Sequence, residues 1–279
     1  MTIVAAQTAG SSHDALGSLR AGWRIYATDG ALLGLFMISA CAFVSLLEYP
    51  GSPVRQAIGS PLARRAIVGC AMALTAVCLI YSPWGKRSGP LMNPAMTIGF
   101  FRLGRIRAWE ATYFIAGQFV GATLGVALMW LVVRMLVAHP AVNYAATLPG
   151  KSVAAAWVGE FCIAFVMMSM VMAVNRRPKL APFTGCIAAA LVATYITIEA
   201  PLSGMSLNPA RTFGSAVFAG TLSTFWLYLT APVLGMLAGI ELHRALSTEH
   251  HKLCGKLTHS RTVACFLQCD CLERKESPR

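Results

Sequence analysis

The sequence predicts an all-α membrane protein, a six-span transmembrane bundle with two half-spanning re-entrant helices arranged as an inverted 3+3 repeat. Three observations carry this. The 279-residue chain is 56% hydrophobic and only 12% charged, too little charge to cover a water-facing surface. Its apolar residues gather in six runs, each near the roughly 20 residues that a helix needs to cross a bilayer. A twelve-residue stretch also occurs twice, 115 residues apart.

The six runs cover about 30–48, 66–82, 110–138, 153–174, 183–199 and 225–243. In lipid every backbone N–H and C=O has to be satisfied within its own segment, so these runs are expected to be helices. Gly117, Gly121 and Gly125 recur every four residues in the third run, a small-residue stripe suited to close helix approach, and Gly235 and Gly239 repeat the device in the sixth. Residues 1–24 are mixed and mostly polar, with no expected signal peptide. Residues 247–279 form a basic tail, expected to be disordered. The membrane domain between them spans 25–246, with one repeat at about 25–138 and the other at about 153–246.

Charge indicates orientation. The net charge is +12, but Lys and Arg avoid the apolar runs and cluster in the connections, which points away from nucleic acid and towards a membrane topology. With the N-terminus inside, 17 of the 23 Lys and Arg fall on the inner side, and Arg55, Arg64, Arg65, Arg134, Lys151 and Arg211 remain. A multi-pass protein of the cell membrane with both termini cytoplasmic is expected. Nine cysteines do not form a disulfide framework: five lie in apolar runs, and Cys254, Cys265, Cys269 and Cys271 lie in the tail. No metal site or cofactor is expected, since the tail's Cys and His spacings match no ligand pattern. No nucleophile–base arrangement suggests an enzyme.

The repeated stretch is SGPLMNPAMTIG at 88–99 and SGMSLNPARTFG at 203–214, with seven of twelve positions identical. Two runs precede each copy and one follows it. Three spans is an odd number, so the copies sit upside down relative to each other and their short apolar stretches, about 93–103 and 208–219, enter from opposite faces. Interrupted segments in matching positions of an inverted repeat point to a transport site. Within each copy, Asn93 or Asn208 is suited to cap a helix. Pro94 or Pro209 suits the first helical position, and Ala95 or Ala210 is small enough for two helix ends to abut. Helix N-termini carry about half a positive charge each. Two of them facing each other repel cations, while the Asn amides donate hydrogen bonds to a neutral oxygen.

Two Asn-Pro-Ala boxes, each led by Ser-Gly, in a six-span chain resemble the aquaporin (major intrinsic protein) family over about residues 25–245. The resemblance implies an aquaporin-like channel domain, a passive pathway for water or small neutral solutes that excludes ions and protons, and a homotetramer in the lipid bilayer. It also implies a selectivity filter at Arg211, directly after the second box, and at Ile196, Met205 and Ala73 by gapless counting, or Met72 if one residue is inserted. These positions lack the aromatic and the His of water-selective members, and Thr212 replaces the Asp of glycerol-conducting ones. Leu91 stands where the family often has His. Asp29 and Glu160 fall where the family has Glu, accepting hydrogen bonds from the loops that lead into the half-helices. Glu48 and Glu199, near span ends, are expected to face water. Two other readings stay open: a proton-coupled transporter using Asp29 and Glu160, and a non-conducting structural protein on the same fold.

Overall fold

The computed structural model describes residues 14–246, so the tail's cysteines and histidines lie outside the described residues. Among the described residues every regular element is helical, and the α-helices run in the order α1 (Ala15–Glu48), α2 (Pro53–Ala57), α3 (Pro61–Tyr81), α4 (Pro83–Ser88), α5 (Pro94–Arg102), α6 (Ala108–Val137), α7 (Val153–Asn175), α8 (Thr184–Ile198), α9 (Ala200–Ser203), α10 (Pro209–Ala219) and α11 (Phe225–Leu246). Six segments are long and apolar enough to cross a membrane, and they contain α1, α3, α6, α7, α8 and α11. Large apolar side chains point outward along them, including Leu131, Val132 and Met135 on α6 and Leu74 on α3. Outward Leu and Met at this density fit a lipid-facing surface and not a water-facing one.

Helix α1 starts well before the apolar run that foretold it. Asp14 caps it by accepting the Gly17 N–H at 3.0 Å, and the added turns are tied down from inside: Tyr26 Oη donates to the Ser18 carbonyl and Tyr113 Oη to the Ala15 carbonyl. Polar composition hid these turns because they are held by tertiary contacts.

The two halves are built alike. Helix α1 packs along α6, and α7 along α11. The glycine stripes explain the close approach. A side chain at Gly121 or Gly125 would run into the carbonyl oxygens of Gly30 and Gly34, and one at Gly235 into that of Phe161. Short helices α4 and α9 lead into the two boxes, and each ends on the glycine of its Ser-Gly pair in the left-handed conformation, Gly89 at φ 69° and Gly204 at φ 79°. Those glycines turn the chain back into the membrane, which explains why Ser-Gly opens both copies. Half-helices α5 and α10 then meet tip to tip inside the bundle.

This packing makes a stability prediction. Gly121→Ala should cost about 1–3 kcal/mol, since the new methyl meets backbone that has no room to retreat. Gly59→Ala, where a Cβ would have nothing within 4 Å, should be close to neutral. Thermal unfolding in detergent measures both, and equal midpoints would remove the stripe from the packing account.

Candidate functional site: a passage through the two half-helix tips

Asn93 and Asn208 cap their own half-helices. Asn93 Oδ1 accepts the Ala95 N–H at 2.9 Å, and Asn208 Oδ1 accepts those of Ala210 and Arg211 at 3.0 and 3.2 Å. Pro94 and Pro209 occupy the first helical turn, where a missing N–H costs nothing. The side-chain amides also reach across the pseudo-symmetric junction. Asn93 Nδ2 donates to the Leu207 carbonyl at 2.8 Å, and Asn208 Nδ2 to the Met92 carbonyl at 2.7 Å. One N–H of each amide is therefore committed to locking the tips together. An amide NH2 has two donors, so each keeps one for a solute. Ala95 and Ala210 are fully buried where the tips abut.

The accepting carbonyls are aimed by unusual backbone. Met92 and Leu207, at equivalent places in the repeat, have φ of 47° and 59°. For residues with side chains this conformation costs on the order of 1–2 kcal/mol each, so something has to hold it. The buried acids do. Asp29 Oδ1 accepts the Leu91 N–H at 2.8 Å, and Asp29 Oδ2 accepts the Met92 N–H at 3.1 Å and Gln118 Nε2 at 2.7 Å. In the other half Glu160 Oε1 accepts the Ser206 N–H at 2.6 Å and the Ser203 hydroxyl at 2.7 Å, while Oε2 accepts the Leu207 N–H at 2.7 Å. Asp29 and Glu160 are both fully buried. Gln118 is a partner that the sequence did not signal. It also donates to Thr97 Oγ1 at 3.1 Å, so it links α6 to α5 and supplements the shorter Asp29.

A cavity of about 420 Å3 runs past these tips. Along α3 its wall is the stripe Arg65, Val68, Met72, Ala76 and Ile80. Fifteen residues of helix separate the ends, a length of about 22 Å, so the cavity covers most of a hydrocarbon core. Asn93 and Asn208 line its middle, and Ile196, Met205 and Arg211 line it on the Arg65 side of the tips. Ala73 does not line it. Met72, the alternative one residue back, lines it instead, and Ala73 is turned about 100° around α3, towards the side where Gly69 packs on the Ala193 carbonyl of α8.

Other placements differ from expectation. Glu48 lines the cavity and is paired with Arg64, through Nε at 3.1 Å and Nη2 at 3.2 Å. Glu199 is buried, not water-facing. The chain turns from α8 into α9 there, and its carboxylate lies over Gly159 of α7, where an added Cβ would come within 2.8 Å of Oε1. Thr212 is also buried, bonded to Thr147 at 2.6 Å and to Ser206, and away from the cavity wall. The loop after α6 contributes Val142, Asn143 and Leu148 to the wall at the Arg65 end. The wall at the opposite end, with Leu91, Ile80, Met96 and Met167, is apolar.

Comparison with known proteins identifies relatives of the chain. The family model described as Major intrinsic protein matches residues 30–243. A probable aquaporin, NIP7-1, from Arabidopsis thaliana is 30% identical over 222 residues, 78% of this chain and 75% of that protein. Aquaporin NIP3-1 from Oryza sativa subsp. japonica is 33% identical over 191 residues, 67% of this chain and 58% of that protein. In fold, the chain resembles the aquaglyceroporin from Plasmodium falciparum, with a TM-score of 0.68 at 15% identity, covering 80% of this chain and 96% of that one.

The buried acids lead to a measurable outcome. Glu160→Ala leaves two backbone N–H groups and one hydroxyl without an acceptor, at about 1–3 kcal/mol for each group left unpaired. Its thermal midpoint in detergent should fall well below that of Glu160→Gln, which keeps one acceptor oxygen. Equal midpoints for the two variants would show that the carboxylate does not hold the loop.

Proposed function

We propose how a chain that belongs to the major intrinsic protein family, and is with that family a passive membrane channel for water and small neutral solutes, selects what it passes. The observation that carries the reading is the pair of Asn-capped tips, cross-bonded at the middle of a cavity long enough to traverse the lipid core.

A solute entering beside Arg211 meets guanidinium donors and a positive charge. It then passes the apolar surfaces of Met72, Ile196 and Met205. At the tips the free N–H groups of Asn93 and Asn208 offer hydrogen bonds, and two helix ends present positive potential. A neutral oxygen compound exchanges its water partners for these donors. A cation meets the same donors as repulsion, and the apolar walls give it nothing in place of its hydration shell. With no His in the lining and no aromatic ring among Met72, Ile196, Met205 and Arg211, the constriction favours solutes larger than water alone, such as small uncharged hydroxy compounds.

Proton coupling is less well supported. Asp29 and Glu160 are absent from the cavity wall, and their oxygens are occupied by loop donors. By resemblance to the family, the working unit is proposed as a homotetramer. The Lys and Arg distribution supports cytoplasmic termini in the cell membrane.

Stopped-flow light scattering on proteoliposomes tests the reading. Water efflux should exceed that of empty liposomes, with a shallow temperature dependence, no ionic current and no response to a proton gradient. Flux equal to that of empty liposomes for every small solute would reject the channel. Met72→Trp should cut flux by about tenfold, since pore width sets passage, while Ala73→Trp should retain most of it; the reverse order would return the filter position to Ala73. Arg211→Ala should admit cations and larger solutes, and unchanged selectivity would take Arg211 out of the filter.

A further inference from the structure

Three charged residues line the cavity: Glu48, Arg65 and Arg211. They are not equivalent. Glu48 is neutralised by Arg64, which also gives Nη1 to the carbonyls of Ile58 and Gly59 at 2.9 and 3.0 Å, so acid and base form a closed unit at the outer end of α3. Arg65 is turned about 100° from Arg64 and faces the passage. Its Nε donates to the Thr197 carbonyl at 3.3 Å, one residue past Ile196, which anchors the guanidinium on α8 at the outer mouth. Among the described residues, no carboxylate stands within ion-pair distance of Arg65 or Arg211. Arg211 Nη1 is buried without a hydrogen-bond partner. Glu160 is not in the cavity wall, and its oxygens are held by the loop.

The outer end therefore holds two guanidinium groups that no wall carboxylate pairs with, Glu160 acting on Arg211 only through its field from behind the wall. Low-dielectric walls focus such a field. A guanidinium fork matches the oxygen spacing of an oxyanion, and charge-assisted contacts of this kind are about twice as strong as neutral ones. We propose that the outer vestibule is an anion-binding site in which Arg65 and Arg211 hold a small oxyanion, and that the bound anion slows solute entry. The anion does not go on through, because Val68, Met72 and Ile196 beyond it offer no replacement for its water shell. Arg65 thus adds a second guanidinium to a filter that the second box alone would furnish with one.

The inference rests on the channel reading, and its test keeps the two apart. Water flux is measured in proteoliposomes with sulfate on both sides and compared with chloride at equal ionic strength and osmolality. The chloride arm alone reports whether the chain conducts. Sulfate at tens of millimolar should slow the wild type by about twofold, an effect in the range of weak charge-assisted binding. In Arg65→Gln the sulfate-to-chloride ratio should return close to one, and Arg65→Lys should keep part of the effect. Equal flux in the two salts for the wild type, or the same slowing in Arg65→Gln, would overturn the site. A thermal-shift titration with sulfate in detergent reads binding without any flux. The wild-type midpoint should rise more than that of Arg65→Gln, because a ligand stabilises the state that binds it; identical rises would also overturn the proposal.

Discussion

Non-helical backbone at mid-membrane depth has to find its hydrogen bonds inside the protein, since lipid offers none. Asp29 and Glu160 supply them. Each presents its carboxylate to two successive N–H groups of the loop entering a half-helix, and each thereby holds one residue, Met92 or Leu207, in a left-handed conformation. That conformation aims the carbonyl that the opposite Asn binds. The orientation of the pore's central donors depends on these two acids, and so does the junction between the halves.

The acids depend in turn on close helix contact. Asp29 sits beside Gly30 on α1, and Gln118, its side-chain donor, sits beside Gly117 on α6. Backbone crowding along Gly30, Gly117 and Gly121 sets the separation of α1 from α6, and so brings the amide within 2.7 Å of the carboxylate. The second half meets the same demand with other parts. Glu160 is one methylene longer, and the third donor comes from Ser203 on the short helix before the loop. Two chemical sets thus solve one backbone problem, which shows that the constraint lies in the loop's N–H groups and not in the identity of any one partner.

The features that were legible in the sequence are the ones that local physics writes into it. Lipid contact produced six apolar runs, capping geometry produced Asn-Pro-Ala twice, and the left-handed turn before each box produced Ser-Gly twice. Features set by which way a helix faces were not legible. Met72 and Ala73 are equally apolar neighbours, and only the packing of Gly69 against α8 decides which of them meets the passage. Gln118 reads as one polar residue in a long apolar run. Glu199 reads as a span-end acid, yet the turn into α9 buries it. The loop after α6 carries no periodic pattern, although it walls the outer end with Asn143 and Val142.

The wall changes character along the passage. The end lined by Arg65 and Arg211 carries guanidinium groups and loop backbone, the middle carries two amides, and the opposite end is Leu, Ile and Met. A permeant solute consequently finds fixed hydrogen-bond partners at the outer mouth and at the tips, with apolar stretches on either side of the tips. A molecule that tolerates partial dehydration crosses those stretches at modest cost. A fully charged one does not, since burying an unpaired ion is far more expensive than burying a neutral polar group. On the proposed function, selection against ions does not rest on Arg211 alone. The apolar stretches and the positive helix tips oppose cations together, whereas an anion is attracted at the mouth and stopped by the apolar wall immediately beyond it.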